Sequence, residues 1–218
     1  MITLSRAELA RHLEATLFRP DATRQDVEKL CAEARTHGFR AVCVNSSRVE
    51  LAATLLEDTL VKVVCLVGFP LGAMESDVKR FETEAAIDLG AQEIETVLNI
   101  GRLKDGDDRY VLRELRDIAE AAEERPVKVV LETSLLTPEQ INLVCALATD
   151  SGVHFVSTGT GVKPATVQDV SSLRAAVGEK FGVKAVGVRD TQAALSLIAA
   201  GATRLGVSDG AAIVAGLP

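Results

Sequence analysis

Tryptophan is absent from this 218-residue chain, tyrosine occurs once and phenylalanine six times, so aromatics supply only 3% of the residues. A core without large rings must be filled by valine, leucine, isoleucine and alanine, as in parallel α/β proteins whose strands are buried on both faces. The four cysteines, Cys31, Cys43, Cys65 and Cys145, lie far apart with no CxxC pair, which points away from a zinc site or a disulfide framework. Apolar runs such as Val63–Val67 fall far short of the ~20 residues that cross a bilayer. Positive charge is not in excess: 24 Lys+Arg against 31 Asp+Glu leave a net charge of −7. That balance offers no electrostatic footprint for nucleic acid or an anionic membrane. Met1–Arg11 alternates polar and apolar residues without the apolar stretch of a signal peptide, so a reduced, cytoplasmic protein is expected.

What is present is a regular alternation of short β-branched runs and longer amphipathic stretches. Strands are predicted at Leu13–Phe18, Phe39–Asn45, Val61–Val67, Glu93–Asn99, Val127–Thr133, Val153–Thr158, Val183–Val188 and Arg204–Ser208, each followed by a helical segment. The helices are well punctuated. Thr23–Arg35 follows Pro20-Asp21, Ser76 is read as the cap of a helix that stops at Gly90, and Thr191–Ala200 ends before Gly201. Thr137-Pro138-Glu139-Gln140 sets a cap, a first-turn proline and a capping-box glutamine in a row. No linker or low-complexity stretch interrupts the pattern, so residues 1–218 read as one domain with a short helix before Leu13. Eight βα units in this length favour a TIM (β/α)8 barrel over an open doubly wound sheet, because right-handed crossovers close at that number. A dinucleotide-binding sheet would want GxGxxG after its first strand, and only Arg19-Pro20-Asp21 stands there.

In a barrel the active site lies at the C-terminal strand ends, and polar side chains inside apolar strands mark it, since burying them costs several kcal/mol unless they are paired or used. Glu14, the trio Glu93, Glu95 and Asn99, the pair Lys128 and Glu132, and Lys184 occupy such positions. Lys62, Lys128 and Glu93 come early in their strands and are read as ion-pair partners at the barrel floor. Glu14, Glu95 and Lys184 are expected to share one polar centre. Three glycine-rich strand ends follow in the last third: Ser157-Thr158-Gly159-Thr160-Gly161, Gly187-Val188-Arg189 and Gly206-Val207-Ser208-Asp209-Gly210. Loops of this kind leading into helices can hold an anion on free N–H groups. Thr158, Thr160, Gly161, Gly187, Arg189, Gly206, Ser208 and Asp209 are therefore the candidate substrate- or anion-binding residues. Tight βα turns are the plainer alternative.

Several strings resemble the deoxyribose-phosphate aldolase family over nearly the whole chain. Leu17-Phe18-Arg19-Pro20-Asp21-Ala22-Thr23, Gly38-Phe39-Arg40-Ala41-Val42-Cys43-Val44-Asn45 and Val67-Gly68-Phe69-Pro70-Leu71-Gly72-Ala73 are similar to family strings and fall in family order. So do Asn99-Ile100-Gly101, Glu132-Thr133, Ala165-Thr166-Val167 and Ala200-Gly201-Ala202-Thr203-Arg204. The resemblance implies a TIM barrel, a class I aldolase ancestry and a lysine Schiff base, with no metal and no cofactor.

The resemblance also implies departures at the family's catalytic positions. Ser157 stands where the family has its Schiff-base lysine, Glu95 where it has an aspartate, and Glu14-Ala15-Thr16 where it has Asp-His-Thr. The family's serine pair at its phosphate corner reads Ser208-Asp209, and one glycine is lost before Arg189. Lys184 is retained. An enamine mechanism needs a neutral amine, which a second lysine nearby supplies by charge repulsion. With Ser157 in place, Lys184 faces Glu14 and Glu95 instead, and Asp209 puts a negative charge where phosphate would bind. The expected site is thus Lys184, Glu95, Glu14, Ser157 and Thr16, acting as a diverged lyase on a small, unphosphorylated carbonyl compound, with a homodimer as the candidate assembly. Two alternatives stand beside it: a non-catalytic metabolite-binding or regulatory barrel, and a divalent-cation lyase using Glu14, Glu95 and Glu132 with help from His154.

Overall fold

The computed structural model describes residues 3–218. Eight parallel strands close into a barrel in sequence order, each joined to the next across an outer helix. The order is α1 (Arg6–Ala10), β1 (Leu13–Leu17), α2 (Arg24–His37), β2 (Ala41–Asn45), α3 (Val49–Leu56), β3 (Lys62–Val67), α4 (Ser76–Asp88) and β4 (Glu93–Val97). It continues with α5 (Ile100–Lys104), α6 (Asp108–Ala121), β5 (Val127–Val130), α7 (Pro138–Ser151), β6 (Phe155–Ser157), α8 (Val167–Val177), β7 (Gly182–Val188), α9 (Thr191–Ala199), β8 (Arg204–Val207) and α10 (Gly210–Ala215). The predicted barrel and the helix before Leu13 are both present. β1 closes the ring against β8, with Glu14 level with Gly206.

Local signals act as expected. Thr23, Thr137 and Thr166 each close a reciprocal capping box at the start of α2, α7 and α8, satisfying amides the first turn leaves bare. Ser76 differs from its expected role: Glu75 precedes the helix, and the Ser76 hydroxyl donates to Asp117 on α6 instead. Most strands are shorter than their predicted spans, and in two of them the early end displaces a candidate residue. β4 ends at Val97, so Asn99 is not an inward strand residue but the cap of α5, accepting from the Arg102 amide. β5 ends at Val130, and Glu132 sits in the left-handed region at φ 53°, so it does not share a strand face with Lys128. In both cases the chain bends into a loop before the pattern of side chains changes.

The outer core, between strands and helices, is aliphatic; Val42, Val44, Cys65, Val129, Val156, Val183 and Ala185 are all within a few per cent of complete burial there. The loop after β3 is seated tightly on the end of β4. A Cβ at Gly72 would lie 2.2 Å from the Leu98 carbonyl oxygen, and the residue has φ +65°. Both steric clash and backbone strain oppose a side chain, so Gly72→Ala is expected to cost about 3 kcal/mol. Denaturant unfolding of the two proteins checks this. A loss below half that value would mean that the loop moves aside freely.

Candidate functional site

Inside the ring, alternate residues of each strand face the axis. The register places Glu14 beside Ala41, Glu95 beside Lys128, and Ser157 beside Lys184. Charged residues thus come inward from β1, β4, β5, β7 and β8, and they meet. The Lys184 Nζ lies 2.5 Å from Glu95 Oε2 and 2.6 Å from Glu14 Oε2. The Lys128 Nζ lies 2.6 Å from Glu93 Oε2 and 3.3 Å from Glu14 Oε1. Arg204 Nε approaches the same Glu14 oxygen at 3.3 Å, and Arg40 reaches Glu93 at 3.7 Å from the half-exposed floor. The result is a ladder running Arg40–Glu93–Lys128–Glu14–Lys184–Glu95 from barrel floor to barrel top.

Glu14 is the middle rung. Its contacts are ionic rather than directional, since neither oxygen has a well-aligned hydrogen-bond donor. Burial by itself raises its carboxyl, but Lys128 and Lys184 outweigh that and bring it down to about 2. Lys184 shows the mirror behaviour. Burial by itself would favour its neutral form, yet Glu14 and Glu95 more than offset this and hold it well above the ordinary lysine value. The side chain is therefore an ammonium ion. Lys128 is raised in the same way, against burial, by Glu14 and Glu93. The floor reading is right for Lys128 and Glu93; Lys62 has no ion pair among the described residues.

Above the ladder is a small cavity of about 40 Å³. Lys184 and Glu95 lie at its base with Cys43, whose thiol approaches Glu95 Oε2 at 3.5 Å and is pushed up by burial. Of the expected residues, Thr16, Thr160, Gly161, Gly187, Gly206 and Ser208 also line it. Others of the expected set do not. Glu14 lies one layer deeper, fully buried. Ser157 is buried between Val130 and Lys184 in the register, and its hydroxyl has no partner. The Thr158 hydroxyl accepts from the Val186 amide, tying β6 to β7. Arg189 is exposed and outside the lining.

Asp209 is turned outward. Its Oδ1 accepts from the Ala212 amide at 3.0 Å, while Glu33 from α2 accepts from the Ala211 amide at 3.2 Å. Asp190 likewise caps α9 through the Ala193 amide at 2.8 Å. After β7 and β8 the amides of Ala193, Ala211 and Ala212 are thus bonded to the chain's own carboxylates. Glu132 acts on the loop after β6: its Oε2 accepts from both the amide and the hydroxyl of Thr160, at 2.9 and 2.8 Å. Its carboxylate is thus committed away from Glu14 and Glu95. His154 accepts from the Val127 amide at the barrel floor, so the cation-binding alternative has no converging ligand set among the described residues.

The sequence reading missed the apolar half of the cavity. Phe18, Leu66, Phe69, Val130 and Val186 line it beside the polar groups. Inward alternation along β3, β5 and β7 was the available signal for Leu66, Val130 and Val186. Phe18 and Phe69 lie just beyond their strands, where alternation says nothing.

Comparison with known proteins places this geometry in context. A family model described as DeoC/LacD family aldolase matches residues 12–213. The deoxyribose-phosphate aldolase of Bdellovibrio bacteriovorus is 50% identical over 212 residues, covering 96% of each protein. That of Thermococcus kodakarensis is 46% identical over 222 residues, covering 99% of each. The tetrameric deoxyribose phosphate aldolase of Aeropyrum pernix superposes with a TM-score of 0.90 at 29% identity, over 97% of this chain and 91% of that one. With a model match spanning nearly its whole length and relatives at half identity, this chain belongs to the DeoC/LacD aldolase family.

Proposed function

We propose that this protein is a diverged carbon–carbon lyase of the aldolase type. It acts on a small, unphosphorylated carbonyl compound, with Lys184 and Glu95 at the reacting centre and Glu14 beneath them. The observation that carries the reading is the Lys184 ammonium at the base of the cavity, 2.5 Å from Glu95. A buried cation there can stabilise the oxygen of an enolate, and the adjacent carboxylate can accept or return the α-proton. Should an imine form, Lys184 must first pass its proton to Glu95 or Glu14, because Ser157 has no amine. Two features argue against a phosphorylated substrate. The rim carries Asp209 and Glu33 on the Ala212 and Ala211 amides of α10, and among the described residues no cation lines the cavity other than Lys184, which is already paired twice.

The double pairing of Lys184 also supports the second reading, a barrel that binds a metabolite without converting it. Borohydride reduction in the presence of small aldehydes, with intact mass and peptide mapping, separates the two. Covalent adducts on Lys184, abolished in Lys184→Ala, support the lyase. Their absence with every aldehyde, together with no turnover, leaves the binding reading. Cleavage of deoxyribose 5-phosphate is expected at background in a coupled assay. Robust turnover there would show that the amine at position 157 is dispensable.

A further inference from the structure

The two ends of the barrel treat negative charge in opposite ways. At the top, the Ala193, Ala211 and Ala212 amides are taken by the chain's own carboxylates. At the floor, the end of a TIM barrel that ordinarily serves stability, cations lack acceptors. Arg40 directly precedes β2, Lys62 opens β3 and Arg204 opens β8. Arg40 reaches only Glu93, at 3.7 Å, which is beyond hydrogen-bond length. Arg204 Nε lies 3.3 Å from Glu14 but is buried without an aligned hydrogen bond. Among the described residues Lys62 has no ion pair, and none of the three side chains donates a hydrogen bond.

Arg204 is held in place by packing. Its side chain is 15% exposed, and its guanidinium lies 5.3 Å from the centre of the Phe155 ring. That ring in turn rests on Gly182, where an added Cβ would fall 2.0 Å from it. Arg40 and Lys62 share an open depression of about 680 Å³ with Gln92. The Gln92 carbonyl oxygen accepts from the Val63 amide at 3.3 Å, which leaves the side-chain NH2 as a further donor. The nearby carboxylates are committed elsewhere or stand apart. Glu93 and Glu14 lie closer to Lys128 and Lys184, and Glu123 pairs with Arg125. Glu124 and Glu179, on the rim, pair with no cation among the described residues. Through the barrel, Arg40, Lys62, Lys128, Lys184 and Arg204 face Glu14, Glu93 and Glu95, so two positive charges are unmatched, and they lie at the floor. Burial lowers Arg204 from its ordinary value and the charge of Arg40 works in the same direction, so the two guanidiniums are close enough to repel.

We infer that the barrel floor is a binding site for a phosphate dianion, held between the Arg40 and Arg204 guanidiniums with the Lys62 ammonium and the Gln92 amide beside them. A dianion matches the two unmatched charges. Each guanidinium can offer parallel N–H groups to two phosphate oxygens, a geometry that chloride cannot use. The site lies at the opposite end of the barrel from the Lys184 cavity and is independent of the reaction proposed there. Binding relieves the repulsion between Arg40 and Arg204, so phosphate stabilises the fold. Free phosphate and the phosphoryl group of a small monoester offer the same chemistry.

The test titrates sodium phosphate into ¹⁵N-labelled protein at fixed pH, with sodium chloride holding the ionic strength constant. The expected result is that the amide signals of Lys62, Glu93 and Arg204 shift in a saturable way, while those of Gly161 and Gly187 at the cavity stay in place. Saturating phosphate should also raise the melting temperature. Replacing Arg40 and Lys62 together by Gln should weaken phosphate about tenfold or more. Lys62→Gln alone, which breaks no ion pair and so leaves the fold intact, should weaken it severalfold. Glycerol 3-phosphate added in a second titration separates the two sources: tighter binding on the same floor amides assigns a phosphorylated metabolite, and equal or weaker binding assigns free phosphate. Shifts reproduced by chloride alone, phosphate shifts confined to the cavity amides, or a folded Lys62→Gln protein of unchanged affinity would each overturn the inference.

Discussion

Glu14→Ala is expected to lose roughly 4 kcal/mol of folding stability, because it leaves three cations facing one another without their shared carboxylate. Lys128 and Lys184 are fully buried and Arg204 partly so, and each lies within 3.3 Å of a Glu14 oxygen. In a chain of this length such a loss lowers the melting temperature by about 10 °C. Glu14→Gln keeps the shape and part of the polarity but not the charge, and should fall between. Calorimetry of the three proteins at neutral pH measures the effect. A Glu14→Ala protein within about 1 kcal/mol of wild type would mean that water or rotamer change replaces the carboxylate, and that the ladder is not a closed network.

The same carboxylate gives the protein an acid limit whose sign is fixed. Glu14 is depressed in the fold, from an ordinary 4.5 to about 2. Its stabilising contribution is therefore complete above the unfolded value and is lost as pH falls from about 5 toward 2. The shift is equivalent to roughly 3 kcal/mol across that window. Glu14→Gln should show a flatter acid arm than wild type while sharing its slope at neutral pH. For Lys184 the sign is opposite: its raised value stabilises the fold below about 10.5 and that contribution fades only in strong base. Between the two limits Glu14 and Lys184 both keep their charge.

Much of this was readable from the residues because polar side chains in buried strands are expensive. Glu14, Glu93, Glu95, Lys128 and Lys184 each break an apolar run, and alternation put them on inward faces, where the structure joins them. Pairing order was not readable. That Glu14 is shared between two lysines depends on the stagger of the barrel, which a single sequence does not display. Lys79 and Glu114 show the converse failure. They lie on α4 and α6 at positions that resemble solvated helix faces, yet both are fully buried and meet at 2.8 Å, with Lys79 also donating to the Val97 carbonyl. Glu33 was invisible for the same reason, since only the packing of α2 against α10 brings its carboxylate to the Ala211 amide. The strand ends at Asn99 and Glu132 failed differently: turn geometry ended the strand before the side-chain pattern did.

Ser157→Lys is expected to create a reactive amine where the native protein has none. In the native ladder Glu14, Glu93 and Glu95 are matched by Lys128, Lys184 and Arg204, with Arg40 at the exposed end, so no inner carboxylate is left to hold a further cation. The introduced amine would be buried, beside Val130, and next in the register to the Lys184 ammonium. Desolvation and like charge both favour its neutral form, the reverse of the situation at Lys184. At pH 7.5, reduction of an acetaldehyde adduct should map to position 157 at a rate well above that at Lys184 in the native protein, because the neutral amine is the nucleophile and Glu14 and Glu95 hold Lys184 as an ammonium ion. Cleavage of deoxyribose 5-phosphate should recover only in small part, because Asp209 and Glu33 still occupy the α10 amides. Adding Lys184→Met removes the neighbouring cation and frees Glu95 and Glu14 to pair with the new amine, so trapping at position 157 should fall again. Adducts that remain on Lys184 in the single variant, or trapping at 157 that is indifferent to Lys184→Met, would show that the carboxylate clamp is not what controls the chemistry of this pocket.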